Sequence, residues 1–149
     1  MPGLKGRAQA SVDGKGRVSL PAKYRKLLPE ELVLAKSPNR DFPALVLYAE
    51  EDYDRWLDNV MESKGGYAAN NQALDDIMEE YYENSENVKV DGIGRIPLAP
   101  HLRAYARIDD DNRGIVISGA KDHLVLRSVA IWEANSARRA SASVYDAHR

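Results

Sequence analysis

A five-residue motif occurs twice in this chain, at an offset of 78 residues. Residues 13–17 are Asp-Gly-Lys-Gly-Arg, and residues 91–95 are Asp-Gly-Ile-Gly-Arg. The segments that follow, 18–25 and 96–103, also correspond: each begins with a β-branched residue, has Leu at its third position and ends in Arg. A repeated unit is usually one structural element that cannot bury its apolar face alone. Two copies therefore predict a pseudo-two-fold domain with two equivalent basic turns.

The length and composition are those of a small globular protein. The 149 residues suffice for one compact domain with a real core, and 44% of them are apolar and 30% charged. Because the chain has no cysteine, disulfides, thiolate zinc sites and cysteine nucleophiles are excluded. No apolar run approaches the roughly 20 residues that span a bilayer, and no signal-peptide segment follows the N-terminus. These features predict a cytoplasmic protein without a membrane partner.

Charge is distributed unevenly along the chain. The overall net charge is -2, which by itself would argue against a nucleic-acid partner. Residues 1–40, however, carry nine Lys and Arg against three Asp and Glu, and residues 88–149 carry ten against seven. Residues 41–87 carry two against thirteen. Both copies of the motif are thus basic and an acidic block separates them, which predicts a polarised surface with one face for a polyanion.

The pattern of apolar residues predicts the same succession of elements in both copies. Strands are expected on both sides of each turn, then a short helix, two strands and a helix. An acidic helix is expected between the copies, with Leu74, Ile77, Met78, Tyr81 and Tyr82 on its apolar side. The predicted strands are 7–12, 18–20, 32–35, 45–48, 115–118 and 124–127, and the predicted helices are 22–28, 50–61, 72–82, 100–106 and one from 129. Loop structure is expected at 63–69.

The turn residues have a clear structural role. Asp binds backbone amides two residues further on, and Gly accepts positive φ, so both types suit a tight turn. The turn residues predicted in this way are Asp13, Gly14, Gly16, Asp91, Gly92 and Gly94. One interpretation is that each Asp also pairs with the Arg four residues later and merely braces the turn.

The basic residues suggest a second role for the same turns. A guanidinium at a glycine-rich tip suits a phosphate or the edge of a guanine, and exposed amides at the tip can bind phosphate oxygens. We therefore predict that Arg17 and Arg95 contact DNA. Lys15, Lys23 and Arg25 add charge near the first turn and are predicted to bind DNA as well, whereas Ile93 replaces the lysine in the second turn.

The tandem motif, with the helix that follows each copy, resembles the MraZ family over about residues 4–139. The resemblance implies an α+β fold with a mainly β core, in which two SpoVT–AbrB-like units form a pseudo-two-fold, swapped-hairpin β-barrel with flanking helices. The units would be 7–54 and 87–135, with an acidic helical connector at 55–86 and a C-terminal tail at 136–149. The family's DNA-contacting arginines correspond to Arg17 and Arg95, and its preceding basic position to Lys15.

The resemblance also implies a function. Members of this family are homo-oligomeric rings that bind short direct repeats of double-stranded DNA. The repeats lie upstream of a cell-division and cell-wall operon that includes the regulator's own gene. The chain is therefore expected to be a cytoplasmic, nucleoid-associated transcriptional regulator with no cofactor, no metal and no small-molecule substrate.

Two other classes of function remain as alternatives. Acidic runs such as 50–52, 79–80 and 109–111 could suggest a carboxylate-based enzyme, but consecutive carboxylates on a helix point to different sides and are usually solvated. The three histidines show no metal-ligand spacing. AbrB-like folds also occur as antitoxins that bind a protein partner through a tail. The tail at 141–149 is short for that role.

Overall fold

The order of secondary-structure elements repeats along the chain, with one additional helix between the copies. The computed structural model describes residues 3–65 and 72–141. The first copy consists of β1 (Arg7–Ser11), β2 (Arg17–Ser19), α1 (Ala22–Arg25), β3 (Glu31–Lys36), β4 (Leu45–Ala49) and α2 (Glu50–Ser63). Helix α3 (Gln72–Glu83) follows. The second copy consists of β5 (Ser85–Lys89), β6 (Arg95–Pro97), α4 (Pro100–Tyr105), β7 (Gly114–Gly119), β8 (His123–Ser128) and α5 (Val129–Ala140).

The strands form two antiparallel sheets. One has six strands in the order β1-β7-β8-β4-β3-β5, and β2 pairs with β6 in a separate two-stranded ribbon. The six-stranded sheet is symmetric with respect to the two copies. If each strand is replaced by its counterpart in the other copy, the same order results, read from the other edge, because β1 pairs with β7, β5 pairs with β3, and β4 pairs with β8. These pairings confirm an α+β fold with a mainly antiparallel β core. No closed barrel is found among the described residues.

The main core lies between one face of the large sheet and a layer made of the ribbon and helices α1 and α4. Strand side chains alternate between the two faces of a sheet, so Leu34, Leu47 and Ile117 point inward while their neighbours point to the other face. Val18 of β2 and Ile96 of β6 complete this core from the opposite side. All five side chains are fully buried. The ribbon is therefore anchored to the sheet through its middle residues.

Helices cover the other face of the large sheet. Helix α2 packs on β3 and β4, and α5 packs on β7 and β8. An aromatic group joins α2 to the sheet: the ring of Tyr53 lies 5.6 Å from that of Tyr48 and 5.8 Å from that of Trp56. Helix α3 packs on α2 through Leu74, which forms one buried cluster with Leu57 and Met61 of α2. The two acidic helices thus lie on the side of the sheet away from the ribbon.

Most predicted elements are confirmed to within a few residues, but three expectations are wrong. Helix α1 ends at Arg25 instead of residue 28: the N–H of Leu27 donates to the carbonyl of Tyr24, an i→i+3 bond of a tight turn, and Pro29 disfavours helical backbone at residue 28. Tyr82 was expected on the apolar side of α3, yet it is 53% exposed and its hydroxyl donates to Asp54. The hairpin expected at the first turn is a single bridge between Val12 and Val18, because β1 pairs with β7 instead.

Two predicted segments fall partly outside the described residues. Of the loop expected at 63–69, Ser63 is the last residue of α2, and residues 66–69 are not described. Of the tail expected at 136–149, residues 136–140 continue α5, and residues 142–149 are not described. Within the described part of the chain, no helix is long and apolar enough to cross a membrane.

Candidate nucleic-acid interface

The ribbon places both motif arginines on one face. Strands β2 and β6 pair in antiparallel register, with Val18 opposite Ile96 and Ser19 opposite Arg95. Because strand side chains alternate, the buried Val18 and Ile96 leave Arg17 and Arg95 on the outward face. The two arginines are separated by one strand spacing and by two residue steps, which is roughly 7 Å along the strands. One surface therefore presents two guanidinium groups side by side.

An aspartate organises each turn in the same way. One carboxylate oxygen of Asp13 accepts from the backbone N–H groups of Lys15 and Arg17, both at 2.9 Å, and the other accepts from Nε of Arg17 at 3.0 Å. Asp91 makes the matching bonds at 3.0, 2.8 and 2.8 Å in the second turn. In each turn the N–H of the arginine is the chief cause that holds the pKa of the aspartate below its ordinary value of 3.8. Both carboxylates are therefore ionised at neutral pH.

The aspartate bond leaves most of each guanidinium available. Only Nε of Arg17 and Arg95 takes part, and among the described residues no hydrogen bond engages the terminal amino groups of either side chain. The two side chains are 30% and 27% exposed. Fixing Nε orients the planar fork without using the two amino groups that make a bidentate contact. Bracing of the turn and binding of a ligand by the same arginine are thus compatible.

Each turn is covered by an arginine from the other copy. The guanidinium of Arg103 on α4 lies over Gly16, and that of Arg25 on α1 lies over Gly94. Both glycines have positive φ, 76° and 88°, which favours glycine for the backbone as well. Backbone bonds follow the same symmetry, since the N–H of Leu20 donates to the carbonyl of Gly94 at 2.9 Å. The helix of one copy therefore supports the turn of the other.

The structure does not gather all the predicted basic residues at one place. Lys15 is exposed at the tip of the first turn. Arg25 was predicted beside the first turn but lies at the second. Lys23 points away from both tips, because its ammonium donates to the carbonyl of Arg7 at 3.2 Å. Arg103 was not predicted, although the 78-residue offset relates it to Arg25 and would have identified it.

The crossed contact gives a test with a matched control. A Cβ at Gly94 would lie 2.8 Å from Cδ of Arg25, and the φ of 88° is strained for any other residue. At Gly92 no atom of the described residues lies within 4 Å of such a Cβ, and its φ is not positive. We expect Gly94→Ala to lower the free energy of unfolding by about 1–3 kcal/mol. Gly92→Ala should change it by less than about 0.5 kcal/mol. Urea denaturation measures the change in the free energy of unfolding for both variants. Equal changes would show that the Arg25 side chain moves aside without cost.

The acidic run at 109–111 has a structural explanation. One carboxylate oxygen of Asp109 accepts from the N–H of Asp111 at 2.9 Å, which caps a turn, and Asp110 pairs with Arg113 at 3.1 Å. Among the described residues, no group of three or more His, Cys, Asp or Glu side chains could hold a metal ion. The bonds of Asp109 and Asp110 thus account for this acidic run as part of a turn.

Comparison with known proteins gives a consistent picture. A family model described as "MraZ protein, putative antitoxin-like" matches residues 82–149. A protein of Bacteroides fragilis named "Transcriptional regulator MraZ" is 32% identical, over 74% of this chain and 69% of its own length. Relatives with the same name are found in Thermobifida fusca, at 31% identity over 81% of this chain and 78% of the relative, and in Caldanaerobacter subterraneus subsp. tengcongensis, at 29% over 87% and 84%.

Proposed function

This chain belongs to the MraZ family, and from that premise we propose that it is a transcriptional regulator that binds specific DNA sequences. The observation that carries the proposal is the outward face of the ribbon. There Arg17 and Arg95 are each fixed at Nε, and no described residue forms a hydrogen bond with their terminal amino groups. The relatives' shared name, transcriptional regulator, supports the general function. The geometry of the two turns supports binding through the outward face of the ribbon.

A two-stranded β-ribbon fits the major groove of B-DNA, where an arginine can donate two bonds to O6 and N7 of guanine. We propose that β2 and β6 enter the groove with their outward face. In this arrangement Arg17 and Arg95 read bases, and Lys15 at the tip neutralises a phosphate. Arg25 and Arg103 act mainly as supports for the turns. The acidic helices α2 and α3 lie behind the sheet, where they discourage binding in other orientations through like-charge repulsion.

The biological target follows from the family resemblance. We propose that the protein binds short direct repeats upstream of a cell-division and cell-wall operon that includes its own gene. It would therefore act in the cytoplasm, at the nucleoid. The units 7–54 and 87–135 would be the two SpoVT–AbrB-like halves of a swapped-hairpin barrel, joined by the connector 55–86 and followed by the tail 136–149. Strand β1 of the first copy pairs with β7 of the second, and β5 of the second pairs with β3 of the first, which favours this division.

Titration with DNA tests the function. We expect fluorescence anisotropy to show tighter binding of the chain's own promoter fragment than of a scrambled fragment of equal length. The logarithm of the association constant should fall with the logarithm of salt concentration, by about 0.9 for each phosphate neutralised. Equal affinity for both fragments at every salt concentration would contradict sequence-specific binding.

We also propose that several copies assemble into a ring. One protomer presents only two reading arginines and carries a net charge of -2, so long-range attraction to DNA is weak. Several protomers with their ribbons on one face would add their contacts to repeated sites. Light scattering should therefore detect a particle several times heavier than the 16.6 kDa chain. A monomer that binds promoter DNA tightly would contradict the ring.

One alternative retains a specific observation in its favour. The matching family model is described as antitoxin-like, which would make the chain a module that binds another protein. This alternative does not need free guanidinium groups on the ribbon. The DNA titration separates the two proposals, since a protein-binding module would not distinguish the promoter from the scrambled fragment.

A further inference from the structure

A cleft of about 580 Å³ lies away from the ribbon, between α3, the loop from β3 to β4 and the end of α4. Its size is within the usual range for small-molecule sites. The side chains of Ile77, Tyr81 and Pro43 give it an apolar wall. The nucleic-acid interface uses none of these residues. The cleft is therefore separate from the face proposed to bind DNA.

Positive charge converges on this cleft. Lys36 from β3, Lys64 from the end of α2 and Arg107 from the end of α4 all line it. None of the three forms an ion pair with any residue in 3–65 or 72–141. A fourth cation, Arg40, is neutralised by Glu80 at 3.2 Å. A net charge near +3 in one concave site indicates a ligand with more than one negative charge.

Lys36 is held in position by a residue of α4. Its Nζ lies 4.8 Å from the centre of the Tyr105 ring, and the hydroxyl of Tyr105 donates to the carbonyl of Ser37 at 2.7 Å. These two contacts fix the β3 side of the cleft against the end of α4.

The backbone at the rim is also unusual. Arg107 has a φ of 58°, a conformation that non-glycine residues rarely adopt and that costs about 1–3 kcal/mol wherever it occurs. The position follows the last turn of α4, where glycine is common. Glycine would fit this backbone without strain, whereas arginine brings a guanidinium to the cleft.

From these observations we propose that the cleft binds a small organic phosphate. The phosphate dianion is held by Lys36, Lys64 and Arg107. The organic part lies against Ile77 and Tyr81. A dianion uses three cations better than a singly charged carboxylate does.

Calorimetric titration with phenyl phosphate, at constant ionic strength, tests the proposal. We expect saturable binding of phenyl phosphate at one site per chain. Inorganic phosphate should bind about tenfold more weakly because it lacks the apolar part. Phenylacetate should also bind about tenfold more weakly because it lacks the second negative charge. Equal binding of inorganic phosphate or of phenylacetate would overturn the assignment of the ligand class. The absence of saturable binding by phenyl phosphate would overturn the site.

Three variants locate the binding. Arg107→Gln and Lys36→Gln should each weaken the binding of phenyl phosphate by about fivefold or more. Lys89→Gln, at an exposed lysine on β5 outside the cleft, should leave the binding unchanged. Urea denaturation verifies folding of each variant. Unchanged binding by both Arg107→Gln and Lys36→Gln would place the ligand elsewhere and overturn the proposal, whatever the result of the DNA titration.

Discussion

Replacing Arg17 with alanine should weaken binding of promoter DNA by about ten- to a hundredfold, which corresponds to the roughly 1–3 kcal/mol of one bidentate base contact. The terminal amino groups of Arg17 are the part of the first turn that remains available for a guanine edge. Simultaneous replacement of Arg95 removes the second fork on the same face and should abolish discrimination between promoter and scrambled DNA. In a multivalent assembly each loss is repeated in every bound protomer.

The turn itself should survive this substitution. The oxygen of Asp13 that accepts from the backbone of Lys15 and Arg17 does not depend on the arginine side chain. Circular dichroism and urea denaturation should therefore show a folded protein. Arg17→Lys keeps the charge and loses the planar fork, so it should preserve the salt dependence but not the specificity.

The matched control is Arg55→Ala. Arg55 also pairs with an aspartate, Asp52, at 2.7 Å, but it lies on α2 behind the sheet. Its loss should leave the affinity for promoter DNA unchanged within about twofold, since the charge removed is far from the ribbon. If Arg17→Ala bound the promoter as the wild type does, the first turn would serve only as a structural brace.

Local features of the fold were predictable because they depend on neighbouring residues. The apolar runs at 32–35 and 45–48 predict buried strands, and both are found in β3 and β4. The turn chemistry of Asp13 and Asp91 likewise follows from residue type and spacing. The apolar spacing of residues 50–61 predicts α2, which extends to Ser63.

The pairing of remote strands was not predictable in the same way. A turn after β1 suggests a hairpin with β2, but β2 has only three residues and forms its ladder with β6. Which strand β1 joins instead depends on the packing of the whole sheet, where β7 offers five partner positions. The crossing of Arg25 to the second turn depends on this exchange, so no local pattern contains it.

A second large effect is expected in the core beneath the ribbon. Ile96 is fully buried and lies opposite Val18, where the two copies meet. Ile96→Ala leaves a cavity between the ribbon and the large sheet and should lower the free energy of unfolding by about 2–5 kcal/mol. Ile96→Val removes one methylene group and should cost about 0.5–1.5 kcal/mol. Urea denaturation at constant temperature gives both values.

Ile93, three residues before Ile96, provides a control for this substitution. Ile93 at the tip of the second turn is 66% exposed, so Ile93→Ala removes the same atoms from solvent instead of from the core. We expect it to change the free energy of unfolding by less than about 0.5 kcal/mol. A similar loss from both substitutions would mean that the ribbon is not fixed to the sheet by its buried face. Arg17 and Arg95 would then lack the rigid platform that preorganised reading of DNA requires.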